Sequence, residues 1–216
     1  MTRARDVVYR ALKRQLMSGA FLPGQRLREE HIAKGMGVSR TPVRSAIQQL
    51  VTDGLISFEE RRGAVVIGWT DRDVDDAFDI RCLLEPYASG AAATYASVNE
   101  IDELEKTNEE MWATIQSNRH DRIEQVQRLN NQFHNALIDA AHSAQIRAVL
   151  NGLVDMPILI GSFYLYSIED MQRSVEHHRQ IIAALRSRNK QLAEVAMHYH
   201  LTATRANYQT LRKQHQ

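Results

Sequence analysis

The stretch Gly37-Val38-Ser39-Arg40-Thr41-Pro42-Val43-Arg44, with the helix that continues from it to Thr52, constrains this chain more than any other. Ser39 is a good N-cap, and with it Pro42 falls in the first turn, where backbone N–H groups lack intrahelical partners anyway. With Thr41 as the cap instead, Pro42 takes the first helical position, which proline favours. Val43, Ala46, Ile47, Leu50 and Val51 follow the i, i+3, i+4, i+7, i+8 rule and form one apolar stripe. The opposite face carries Arg40, Thr41, Arg44, Ser45, Gln48 and Gln49. These groups can donate to phosphates and read base edges: arginine pairs bidentately with guanine, glutamine with adenine, and a threonine methyl can touch thymine. An ordinary amphipathic surface helix has the same stripe, so the flanking sequence has to separate the two readings.

Upstream, Asp6 to Ser18 reads as a helix with Val7, Val8, Ala11, Leu12, Leu16 and Met17 on one face, stopped near Gly19. Leu22-Pro23-Gly24 is a turn, and a short helix from Glu29 to Lys34 or Met36 leads through Gly37 into the next helix. Downstream, Asp53-Gly54 ends that helix. Leu55-Ile56-Ser57-Phe58 and Ala64-Val65-Val66-Ile67 read as two strands around a Glu59–Gly63 turn with Arg61 and Arg62 at its tip. Three helices and a hairpin with a basic tip predict a winged helix-turn-helix over residues 1–69.

Charge supports that division. The chain carries a formal +1 overall, but residues 1–69 hold 12 Lys/Arg against 6 Asp/Glu, and residues 70–216 hold 15 against 20. A basic small domain before an acidic larger one suits a nucleic-acid reader joined to a part that avoids phosphate. The single cysteine, Cys82, excludes an intrachain disulfide framework and fits a reducing cytoplasm. No apolar run approaches the ~20 residues that span a bilayer, and the basic N-terminus leads into no signal-type apolar core.

Leu22-Pro23-Gly24-Gln25-Arg26-Leu27, Gly37 to Arg44, Leu50, Asp53-Gly54-Leu55-Ile56 and Arg62-Gly63 together resemble the GntR family of bacterial winged-helix regulators. The resemblance implies operator contacts from Arg40, Thr41, Arg44 and the Arg62-Gly63 wing tip, to which Gln48 is added from its place on the polar face. His31, Gly35 and Ser45 depart from the family pattern, and Gly35 should weaken its helix by roughly 1 kcal/mol relative to alanine.

From Thr70 onward the periodicity is helical. Thr70 to Asp73 and Ser97 to Glu100 are capping boxes, opening helices to about Tyr95 (with a kink expected at Pro86) and to Gln116 or Ser117. Further helices are expected near 120–141, 144–162, 168–187 and 190–212. Six helices with short connections predict an antiparallel bundle over residues 70–216, so the fold class is mainly α. Trp112, Met156, Tyr164 and Tyr166 can line a pocket in such a bundle, but at helical spacing they are read as core.

The polar residues on these helices carry the information. Asn130 and His134 are four apart and point the same way. His178 and His200 each lie 11 residues from a turn at Asn189, so both sit roughly 16 Å along antiparallel helices, level with each other. Three imidazoles and one oxygen ligand suit Zn²⁺, Ni²⁺ or a similar divalent ion, with positions left for water or an anion. Among nine histidines, surface placements are the competing reading. Arg81 inside a bundle needs an anionic partner, either Glu85 one turn later or a bound carboxylate.

Arg81-Cys82-Leu83-Leu84-Glu85, Asn130 through His134, Glu176 to Ile181 and Met197 to His200 resemble the FCD effector domain of FadR-like GntR regulators, in its shorter VanR-like branch. The resemblance implies a divalent metal on Asn130, His134, His178 and His200, and a small organic acid held by the metal and Arg81. Asparagine in place of the commoner aspartate removes one negative charge from the site. His177 and His198 are neighbours of the matched positions, placed beside the ligands or at the surface.

The expected protein is a cytoplasmic, homodimeric DNA-binding regulator, a repressor rather than an activator. It would read a pseudo-palindromic operator under control of a small carboxylate. Two alternatives stay open: a metal that is purely structural, and a metal-dependent hydrolase, for which no HExxH-type helix is present.

Overall fold

The computed structural model describes residues 2–17, 20–67, 70–151, 163 and 165–215. It divides into one unit of Met1–Asp73 with Thr210–Gln216 and another of Val74–Gln209.

In the first unit, α1 (Thr2–Met17), α2 (Glu29–Met36) and α3 (Arg40–Thr52) precede a hairpin of β1 (Ile56–Glu59) and β2 (Gly63–Val66). Val8, Leu12 and Leu16 of α1 and Val43, Ala46, Ile47 and Leu50 of α3 are buried where these helices pack. Tyr9 and Lys13 both reach the Asp53 carboxylate at the end of α3, at 2.5 and 3.3 Å. Ser39 is the N-cap of α3 by backbone conformation, so Pro42 falls in the first turn, although the Ser39 side chain makes no capping hydrogen bond. Gly37 ends α2 at φ +65°, donating back to the Ala33 and Lys34 carbonyls. That left-handed geometry produces the abrupt turn between α2 and α3.

The strands pair antiparallel from Ile56↔Val66 to Glu59↔Gly63. The sequence suggests two strands, but the tract after the Leu22–Gly24 turn joins them. Leu27 donates to the Ala64 carbonyl, Val66 donates to Gln25, and Arg26 bridges Val65. This pairing holds the start of α2 against the hairpin.

The second unit is built from helices α4 (Asp71–Tyr95), α5 (Val98–Gln116), α6 (Arg122–Asp139), α7 (Ala144–Leu150), α8 (Ile168–Arg186) and α9 (Lys190–His215), the first residues of α4 and the last of α9 being counted with the first unit. Capping boxes form at Thr70/Asp73 and Ser97/Glu100, and a third at Ser167/Asp170 opens α8. Helix α4 continues through Pro86. Proline removes the N–H that would bond the carbonyl four residues earlier, and His198 Nδ1 on α9 approaches that Cys82 carbonyl at 3.4 Å. The helix expected over 144–162 is described as far as Leu150; its remainder, with Met156 and Tyr164, lies outside the described residues. Helix α5 lies against α6 and α8, and side chains from α4, α5, α6, α8 and α9 share one apolar core.

Candidate metal centre and nucleic-acid interface

Three of the predicted ligands meet inside the helical unit. His134 on α6, His178 on α8 and His200 on α9 are 0–2% exposed, and one ring nitrogen from each lies within 4.8 Å of the others. The turn between α8 and α9 centres on Ser187–Asn189, so equal spacing from it does bring His178 and His200 level, with ring centroids 4.8 Å apart. Phe133 stacks on the His178 ring at 3.9 Å and holds its plane.

Partners the sequence reading did not assign orient two of the imidazoles. His134 Nδ1 lies 2.8 Å from Glu85 Oε2, and Arg81 bonds the other oxygen of the same carboxylate. Burial pushes the Glu85 carboxyl up, but Arg81 and His134 outweigh it and hold the group below the ordinary carboxylate range. An ionised Glu85 makes His134 Nδ1 the donor and leaves Nε2 facing the cage. Asn108 does the same for His178. Its amide donates to the Val175 carbonyl at 3.2 Å, which turns its oxygen toward His178 Nδ1 at 3.1 Å.

The chemistry of the cage fits a metal. His178 Nε2 is buried without a hydrogen-bond partner, which is costly for a polar nitrogen unless something else occupies it. Burial, reinforced by the neighbouring imidazoles, pushes both histidines well below their ordinary pKa. Neutral rings with free lone pairs are what a first-row divalent ion requires. His134 Nε2 and His200 Nε2 are 3.3 Å apart, close to the roughly 3.3 Å between two ligands on a tetrahedral ion with ~2.0 Å bonds.

Asn130 is half-buried on α6, four residues before His134 and on the same face. Arg81 is buried and engaged with Glu85. His177 is half-buried and sets its ring edge-on to Tyr199 and His200, beside the cage.

In the first unit, Arg40, Thr41, Arg44 and Gln48 are all exposed on the face of α3 opposite its buried stripe. Arg44 lies on Glu29 at the start of α2, with Nε 3.2 Å from one carboxylate oxygen and Nη2 3.2 Å from the other. Arg40 reaches Glu30 at 3.1 Å and Glu29 at 3.5 Å. The Arg44 hydrogen bonds, first of all, hold the Glu29 carboxyl below its usual pKa. The sequence reading missed Glu29, whose partners are 11 and 15 residues away. At the hairpin, Arg62 donates to Glu59 and to the Gly24 carbonyl, and Gly63 takes φ +75°. Glu29, Glu30, Arg40, Arg44 and Gly63 border a groove of about 440 Å³ between α2, α3 and the hairpin, also lined by Arg26 and Arg28.

A winged helix-turn-helix with an arginine-rich exposed face, in one chain with a helical bundle, is the architecture of a class of bacterial transcription regulators. Residues 4–66 match the model for bacterial regulatory proteins of the gntR family, and residues 76–203 match the FCD domain. The chain is similar to the uncharacterized HTH-type transcriptional regulator YdhC of Bacillus subtilis, with 31% identity covering 86% of this chain and 82% of that protein. It is also similar to the gluconate operon transcriptional repressor of the same species, with 30% identity covering 87% and 77%. Among solved structures, E. coli McbR/YncC superposes with a TM-score of 0.63 at 24% identity over 96% of this chain and 97% of that one, a likeness of fold. The protein belongs to the GntR family, as a DNA-binding transcriptional regulator with an FCD effector-binding domain, and is not an enzyme. Among the described residues no helix is long and apolar enough to cross a membrane.

Proposed function

We propose that this regulator is a homodimeric repressor whose hold on a pseudo-palindromic operator is set by a small carboxylate bound at a divalent metal. The metal would be Zn²⁺ or Ni²⁺, held by His134, His178, His200 and Asn130. One observation carries the reading: His178 Nε2 is buried without a partner beside the His134–His200 nitrogen pair, in a cage whose wall is the Arg81–Glu85 pair. Bound there, the metal would supply Lewis acidity and positive charge to attract the acid. Glu85 takes the Nε edge of Arg81, so an incoming carboxylate would meet the terminal guanidinium nitrogens bidentately.

On the DNA side, Arg40, Thr41, Arg44 and Gln48 would read the major groove while Arg62 and Gly63 approach the backbone with the wing. Two copies would place their α3 helices one helical turn apart on DNA, about 34 Å. The acid changes operator affinity by as much as it prefers one arrangement of the dimer over the other. Repression is favoured because a similar regulator is a gluconate operon repressor. A regulator of bacterial DNA works in the cytoplasm.

Thermal-shift screening of small organic acids, with and without added Zn²⁺ or Ni²⁺, tests the reading. A true effector raises the melting temperature with dose, and only when metal is present. Stabilisation by metal alone, with no acid adding to it and none altering DNA binding, would make the metal structural and remove the sensing role.

A further inference from the structure

Glu29 is the first residue of α2, and Ala33, four residues on, is buried. Side chains four apart share a helix face, and α2 packs against α3. Glu29 therefore lies on the inner side of α2, its side chain 18% exposed, while Glu30 turns outward and is 75% exposed. Arg40 and Arg44, one turn apart on α3, meet this pair of acids by different edges. Arg44 donates from Nε to Glu29 Oε1 and from Nη2 to Oε2, both at 3.2 Å. That is a bidentate fork, two N–H···O bonds on one carboxylate. Among the described residues nothing accepts from Arg44 Nη1, so the terminal edge, Nη1 with the second hydrogen of Nη2, is left for another partner. Arg40 uses its terminal edge on the protein: Nη1 meets Glu30 at 3.1 Å and Nη2 lies 3.5 Å from Glu29.

Guanine presents O6 and N7 side by side in the major groove, two acceptors that match two N–H donors on one edge of a guanidinium. An arginine loose in solvent must give up its rotamers to make that contact, an ordering cost worth roughly 2- to 12-fold in affinity. Gripped by two bonds, the planar Arg44 group has its plane and direction fixed beforehand. An acid beside a reading arginine can instead act as an electrostatic brake, repelling phosphate and weakening binding to every sequence alike. Exposure separates the two acids. Among the described residues Glu30 pairs with Arg40 alone and is largely solvated, which suits a brake. Glu29 is mostly buried and spends both oxygens on Arg44, which suits a buttress.

We propose that Glu29 is a positioning residue for sequence recognition: it grips the Nε–Nη2 edge of Arg44 and presents the terminal edge, already oriented, to a guanine. Glu30 sets the strength of DNA binding without choosing the sequence, because Arg40 reaches DNA only by releasing it. The inference rests on Arg44 as a base reader and names the group that aims it.

The probes are a duplex enriched by the wild-type full chain from a randomised pool and a scrambled duplex of the same composition. Fluorescence anisotropy over a salt series reads both. Glu29→Asp keeps the charge and shortens the reach by one methylene. It should lower the ratio of the two affinities by roughly 2- to 12-fold, with the scrambled duplex and the salt slope as in wild type. Glu29→Gln should lower the ratio as well and tighten the scrambled duplex, since a negative charge near the phosphates is gone. Glu30→Gln should tighten both duplexes and leave the ratio unchanged. In an Arg44→Ala background, Glu29→Asp should lower the ratio no further, because a positioning residue acts only through the residue it positions. Helical circular dichroism and melting should match wild type in every variant. A ratio unchanged by both Glu29 variants would overturn the positioning role and make Glu29 a second brake. A loss that persists in full when Arg44 is alanine would overturn it too, as the mark of a general structural defect. A ratio untouched by Arg44→Ala itself would remove the base-reading role first, and the buttress with it.

Discussion

Glu85 Oε2 lies 2.8 Å from His134 Nδ1, and the same carboxylate bonds Arg81. One buried carboxylate thus aims a metal-facing imidazole and neutralises the guanidinium beside it. The proposed metal and anion sites would therefore share Glu85.

Glu85→Gln separates the two roles. The amide can still accept from His134, but it leaves Arg81 as a buried charge without a counter-ion. Loss of such a partner costs roughly 3–5 kcal/mol, and loss of the orienting carboxylate costs roughly 10–100-fold in metal affinity. Urea unfolding and chelator competition read these. Adding Arg81→Gln should recover much of the stability and none of the metal affinity; a double variant as unstable as the single one would contradict the pairing argument.

The imidazoles themselves should behave as a set. His134→Ala, His178→Ala or His200→Ala is expected to abolish stoichiometric Zn²⁺ binding, measured by calorimetry, whereas Asn130→Ala only weakens it. His177→Ala, altering a ring beside the cage, should retain binding. Zinc affinity unaffected by His178→Ala would dismiss the cage as a metal site.

Arg44 and Arg62 are expected to fail differently on DNA. Arg44→Ala should cost roughly 1–3 kcal/mol on the operator and far less on unrelated duplex, because a base-reading arginine carries sequence preference. Arg62→Ala should weaken both alike and lower the salt slope by about one, as loss of a phosphate contact does. Fluorescence anisotropy across a salt series distinguishes them, and equal losses for Arg44→Ala on both DNAs would remove it from base readout.

Gly37 is the backbone constraint on this interface. At φ +65° it has open space where a Cβ would sit, so Gly37→Ala meets conformational strain and no clash. About 1–2 kcal/mol of stability should be lost, seen in chemical unfolding. A neutral result would mean that the α2–α3 turn relaxes to another geometry.

Local chemistry made much of the fold readable in advance. The apolar stripe of α3, the boxes at Thr70 and Ser97, and the two-strand pattern around Arg62 all depend on residues a few positions apart, and they formed. The level placement of His178 and His200 was equally legible, since counting from one turn suffices for a helical hairpin.

The partners that give those residues their chemistry were not legible. Asn108 meets His178 across 70 residues of chain, Glu85 meets His134 across 49, and Glu29 meets Arg44 across 15. No period or motif links positions so far apart; helix packing chooses which side chains face each other. Sequence alone therefore determined which groups were available: a winged reader, a helical bundle and a set of well-spaced histidines. Tertiary structure decided their states, because only packing buries a carboxylate between a guanidinium and an imidazole, and only burial leaves His178 Nε2 without a hydrogen-bond partner.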